Sequence, residues 1–176
     1  MAWMIITGAV ILGVIAVDQV SKLLVLEFLY NGHVTLIPGV LDFTYLENRG
    51  MAFGLLADHR WVFILLSVVG MGAIGFYLFR YGKTRLTRIA LALILGGGVG
   101  NMIDRLRLGF VVDFIDFCAF PTIWMWVFNV ADAAVCVGAA LFLVDLVRDI
   151  IRESRQKGGA KQSEPGVKGK DHDTDA

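Results

Sequence analysis

Four long apolar runs constrain this chain more than any other feature. Met1–Val17 has no charged side chain, and Trp61–Phe79 is an uncharged run of 19 residues. Leu86–Ile103 holds only Arg88, and Trp124–Leu146 only Asp132 and Asp145. A helix crosses a bilayer with about 20 mostly apolar residues. The runs therefore predict four spans, at about 3–28, 61–79, 86–105 and 124–147, and an all-α membrane protein. The first run lacks a basic leading segment and an A-x-A cleavage site, so it reads as a retained span and not as a removed leader.

The remaining composition agrees with this reading. Of 176 residues, 57% are hydrophobic and 18% charged, whereas soluble domains carry roughly 25% charge. Sixteen basic and sixteen acidic residues balance to zero, which leaves no global field for nucleic acid. Two cysteines, Cys118 and Cys136, cannot build a disulfide framework, and no Cys/His spacing suits zinc. Neither a metal nor a cofactor is expected.

Basic residues in short loops set the orientation. Arg80, Lys83, Arg85 and Arg88 lie between the second and third spans, with no acid among them. Arg148, Arg152, Arg155 and Lys157 follow the fourth. Both stretches read as cytoplasmic, as do both termini, which places 30–60 and 104–123 outside. In the outer segment 34–58, Leu41, Phe43 and Tyr45 alternate with Asp42 and Thr44 just after the turn signal Pro38-Gly39. That period-two pattern predicts a small extracytoplasmic β-sheet. The residues 1–153 form one membrane domain by this reading. From Ser154 to Ala176 the chain is polar, Gly-rich and aperiodic, the composition of a disordered cytoplasmic tail.

Charged residues within a span cost at least about 2.5–3.5 kcal/mol on insertion scales, so each is a candidate for function. Asp18 and Lys22, spaced i,i+4, can pair on one helix face. Gly96, Gly97, Gly98 and Gly100 allow close helix contact just before Asn101, Asp104 and Arg105, which share one face. Asp113 falls just past the third span and Asp132 near the start of the fourth, both at the outer end; Asn129 precedes Asp132 by three. Two carboxylates at one depth can divide the work of acid and base, since close like charges do not both ionise. A proton-coupled transporter is the main rival, but it calls for acids along the whole bilayer depth and often for internal repeats. A membrane scaffold explains the glycines and leaves Asp113 and Asp132 without purpose.

Five blocks now on the page resemble lipoprotein signal peptidases, also called signal peptidase II: DQVSK at 18–22, ENRGMAFG at 47–54, GGGVGNMIDR at 96–105, VVDFIDF at 111–117 and FNVAD at 128–132. Five blocks in order are specific, where one alone would be weak, and the resemblance covers about residues 8–148. Met51 stands at a variable position often held by a smaller residue. The resemblance implies a bacterial cytoplasmic (inner) membrane aspartic endopeptidase with its active site near the outer leaflet. Its catalytic aspartates would match Asp113 and Asp132. Asp18, Lys22, Asn48, Gly50, Asn101, Asp104, Arg105 and Asn129 match positions that bind substrate or support the site. The implied substrates are diacylglyceryl pro-lipoproteins, cut just before the lipidated cysteine, and the implied inhibitors are of the globomycin type. Membrane lipid completes the implied partners.

Overall fold

The protein is described from a computed structural model, which covers residues 2–50, 60–82, 84–119 and 126–162. Among the described residues four helices and four strands follow in the order α1 Ala2–Phe28, β1 His33–Ile37, β2 Leu41–Asn48, α2 Arg60–Tyr81, α3 Arg85–Arg107, β3 Val111–Phe117, β4 Val127–Phe128 and α4 Val130–Gln162. Each helix contains a segment long and apolar enough to cross a bilayer, so this is a multi-pass membrane protein. Two compact units divide it, Met1–Phe142 and Leu143–Ala176. In the first unit α1 and α2 both pack on α3. In the second, the described residues continue α4.

The four strands form one antiparallel sheet in the order β1-β2-β3-β4. A turn at Ile37–Val40 joins β1 to β2. Pro38 suits its first central position, and Gly39 supplies the φ of +70° that the second requires. The Val40 N–H closes the turn on the Ile37 carbonyl at 2.9 Å. Gly109, at φ +86°, makes the corresponding reversal from α3 into β3. The sheet rests on the end of α1, where Val25, Val112 and Phe114 form a buried cluster with Leu26, Leu29, Phe43 and Tyr45 around it. The Phe43 and Phe114 rings meet edge to face, 5.6 Å apart, a geometry aromatic quadrupoles favour.

The glycine run of α3 acts as expected. A Cβ on Gly97 would strike the Ala131 carbonyl, and one on Gly96 would lie 2.8 Å from Val14 Cβ. These two positions let α3 approach α4 and α1 to backbone distance.

Three expectations need correction. The fourth helix starts at Val130, not near Trp124, because Asn129 is its N-cap and Val127–Phe128 pair with β3. It is described as far as Gln162, past Ser154; Arg155 and Gln156 are good helix formers that carry it on, and 163–176 lie outside the described residues. The sheet is also larger than the segment 34–58 alone, since VVDFIDF at 111–117 supplies a strand rich in β-branched and aromatic residues. Of that outer segment, 51–58 lies outside the described residues.

Candidate active site

Helix α1 contributes a buried cation. Lys22 Nζ lies 3.0 Å from Asp18 Oδ2, 2.9 Å from Asp104 Oδ2 and 2.9 Å from Asn101 Oδ1. Lys22, Asp18 and Asp104 are at most 3% exposed. Buried ions persist only when paired and fully hydrogen-bonded, and backbone donors complete this set. Asp18 Oδ1 accepts from the Ala131 N–H at 2.9 Å, and Asp104 Oδ2 accepts from the Val112 N–H at 3.1 Å. The first of these donors is one that the start of α4 cannot satisfy within the helix. The second belongs to β3. The ion cluster thus ties down the helix that carries Asp132 and the strand that carries Asp113.

Those two acids enter one network of amides. Asp113 accepts from Asn129 Nδ2 on Oδ1 at 2.7 Å and from Asn48 Nδ2 on Oδ2 at 2.8 Å. Asp132 Oδ1 accepts from Asn101 Nδ2 at 2.7 Å. Asn129 Nδ2 also reaches Asn101 Oδ1 at 3.1 Å, which links the two halves. Asn129 and Asp132 cap α4 reciprocally. The Asp132 N–H donates to Asn129 Oδ1 at 2.9 Å, and the Asn129 N–H donates to Asp132 Oδ2 at 3.3 Å, with Asp in the place of the usual Glu.

Backbone groups fix which way these amides point. Asn129 Oδ1 is held by the Asp132 N–H, and Asn48 Oδ1 by the Gly50 N–H at 3.3 Å. Both NH2 ends are therefore left to face Asp113. Asp113 is 1% exposed. Burial, aided by the charge of Asp132, lifts its pKa from 3.8 to about 6, against the opposing pull of both asparagines and Lys22. With both oxygens accepting amide N–H groups, a proton on Asp113 occupies a remaining lone pair and is available for donation.

The structure brings together most of the residues singled out in the sequence. Arg105 sits beside this network, its Nη1 3.4 Å from the Asn101 carbonyl, and its charge acts on Asp132, Asp113 and Asp104. Asp104 takes Lys22 as its partner. Gly50 acts through its backbone. Gly100 is confined by the cluster, since a Cβ there would lie 2.5 Å from Asp18 Oδ2. Gln19 was not singled out, yet its Nε2 reaches Asp104 Oδ1 at 2.9 Å and both Asp18 Oδ2 and the Gly100 carbonyl at 3.2 Å. A polar side chain in an apolar span was the signal that could have found it. Among the described residues no group of three or more His, Cys, Asp or Glu is arranged to hold a metal.

Four apolar helices, a sheet at one end and interlocked buried acids between them define a multi-pass membrane enzyme. The profile of the signal peptidase II family matches residues 10–148. A lipoprotein signal peptidase of Halothermothrix orenii is 44% identical over 78% of this chain and 92% of its own length. One from Geobacter sulfurreducens is 43% identical over 85% and 96%. A solved bacterial membrane enzyme, determined by the in meso method, superposes with a TM-score of 0.75 at 27% identity, over 82% of this chain and 88% of that one. The chain belongs to the signal peptidase II family.

Proposed function

We propose that this protein removes signal peptides from diacylglyceryl pro-lipoproteins as an aspartic endopeptidase, with Asp113 and Asp132 as its catalytic pair. The observation that carries the reading is the shared amide network, in which both acids are held and Asp113 is lifted to about 6. Asp132 accepts hydrogen bonds on both oxygens and serves as general base toward water. Asp113, holding its proton, donates to the scissile carbonyl oxygen. Water adds to the carbonyl carbon to give a diol; as the C–N bond breaks, the proton gained by Asp132 passes to the leaving amine and one diol hydroxyl returns its proton to Asp113. Asn48, Asn101 and Asn129 keep the two carboxyls in place; Asp18, Lys22, Asp104 and Arg105 hold the elements that carry them.

The same reading sets the membrane geometry. Termini and the α2–α3 connection face the cytoplasm, and the sheet and the acids lie at the outer leaflet of the bacterial cytoplasmic membrane. A substrate anchored by a signal helix and two acyl chains, each buried CH2 adding about 0.8 kcal/mol, reaches that depth laterally. Globomycin-type inhibitors would compete there.

The test uses purified enzyme and one pre-lipoprotein, with and without its diacylglyceryl group, read by mass spectrometry. Cleavage of the lipidated form just before the modified cysteine is expected, with loss of cleavage in both Asp113→Asn and Asp132→Asn. Normal turnover in either variant, at equal folded enzyme, would show that other groups do the chemistry. Orientation is tested in a variant lacking both native cysteines. Thr35→Cys should react with an impermeant maleimide on intact cells and Tyr81→Cys should not. The reverse pattern overturns the orientation.

A further inference from the structure

A second site is built at the other end of the first unit. Fifteen residues of α1 separate Trp3 from Asp18, about 22 Å of helix at ~1.5 Å per residue. Helices α1 and α2 both pack on α3. Between them lies a cleft of about 570 Å3, lined by Trp3, Thr7, Gly8, Gly75, Phe79 and Arg88, among others. That volume is typical of small-molecule sites, roughly 300–1,000 Å3. Gly8 and Gly75 are not there for helix packing, since a Cβ built on either meets nothing within 4 Å. They widen the cleft.

Cations guard the mouth. The Arg85 and Arg88 guanidinium carbons lie 4.7 and 5.8 Å from the Trp3 ring centroid. Arg88 Nε also donates to the Gly82 carbonyl at 2.5 Å, which uses one of its five N–H groups. Among the described residues no carboxylate pairs with Arg85 or Arg88. An apolar cleft between helices with two arginines at its mouth suits an acyl chain below a phosphate. The positive charge disfavours the basic leading segment of a signal peptide.

We propose that this cleft holds one anionic glycerophospholipid, an acyl chain lying against Gly8 and Gly75 and its phosphate against Arg85 and Arg88. The site is separate from the paired acids and stands whether or not they are catalytic.

Native mass spectrometry of the full protein, released from mixed micelles of phosphatidylglycerol and phosphatidylcholine, reads the occupancy directly. One phosphatidylglycerol should be retained in preference to phosphatidylcholine. Arg85→Gln with Arg88→Gln should weaken its retention by about 30-fold, as expected for two basic residues at an anionic headgroup. Gly75→Leu tests the cleft by a different route, because the added side chain enters open space and should leave the thermal unfolding midpoint unchanged. It should displace the lipid all the same. Equal retention of the two lipids, or undiminished phosphatidylglycerol in folded Gly75→Leu, would overturn the proposal. So would a Gly75→Leu protein that keeps its lipid but shows a raised KM for pre-lipoprotein, since the cleft would then belong to the signal segment.

Discussion

Replacing Asp113 by asparagine should separate chemistry from stability in a pH-dependent way. In the folded protein the Asp113 carboxyl titrates near 6, against 3.8 for the free group. Its folded pKa is raised, so the sign is the reverse of an ordinary salt-bridged aspartate. The neutral form fits the fold, and stability is fully present below pH ~4 and is lost as pH rises through 6. At about 1.4 kcal/mol per decade of pKa, the loss by pH 7 is about 3 kcal/mol. Asparagine is neutral at every pH and does not suffer this loss. It introduces a different one. Asn48 and Asn129 both present N–H donors to Asp113, with their orientations fixed by the Gly50 and Asp132 N–H groups. One of those donors must then face the new NH2, at a cost of about 1–3 kcal/mol. The two effects nearly cancel at pH 7, and only the second survives at pH 4. Thermal unfolding of both proteins in one detergent, from pH 4 to 8, gives the difference curve. Asp113→Asn should melt close to the parent at pH 7 and clearly below it at pH 4, while cleavage is absent throughout. A difference that stays constant with pH would refute the raised pKa and the assignment of Asp113 as the protonated partner.

Lys22→Met should lower stability by about 3–5 kcal/mol, because it strands two buried carboxylates. It should also push the Asp113 titration higher, since Lys22 opposes that rise; the carboxyl C=O stretch in infrared difference spectra reads the shift, and an unmoved midpoint would rule out the coupling. Asn129→Ala removes a helix cap worth about 0.5–2 kcal/mol together with the amide between the two acids. Activity should therefore fall far more than the melting temperature, and retention of normal kcat in the folded variant would mean that the amide bridge is dispensable. Gly97→Leu should leave little folded protein in detergent, since its side chain would displace the Ala131 backbone, and overpacking of a few atoms already costs about 1–3 kcal/mol. Unchanged thermal stability would show that α3 and α4 do not approach there as described.

The spans were legible because one property, a sustained apolar run, decides them without tertiary help. Of the sheet, β1 and β2 were legible and β3 and β4 were not. β4 is two residues long and exists only through its pairing with β3. The start of α4 was misplaced for a related reason: hydropathy continues smoothly from Trp124, and only the Asn129–Asp132 spacing marks the cap. The polar residues were legible as a set, since charge in a span is costly and rarely idle. Their partners were less so. The Asp18–Lys22 pair follows from i,i+4 spacing, but the choice of Lys22 by Asp104 required α1 and α3 to meet.

Seeing VVDFIDF as a strand changes what its two acids can do. Residues three apart on a strand point to opposite faces, so Asp113 and Asp116, close in sequence, cannot serve one site. Asp113 is buried against Asn48 and Asn129, while Asp116 stands across from Asp42 and Val127. In the proposed reaction the second acid must therefore come from a different element. One acid comes from a strand and the other from a helix start, and each of these elements offers a backbone N–H that the ion cluster captures, Val112 through Asp104 and Ala131 through Asp18. Lys22 joins those two carboxylates. A single cation in α1 therefore helps to place both acids without touching either, and the cost of burying it is offset by Asp18, Asp104 and the Asn101 amide oxygen.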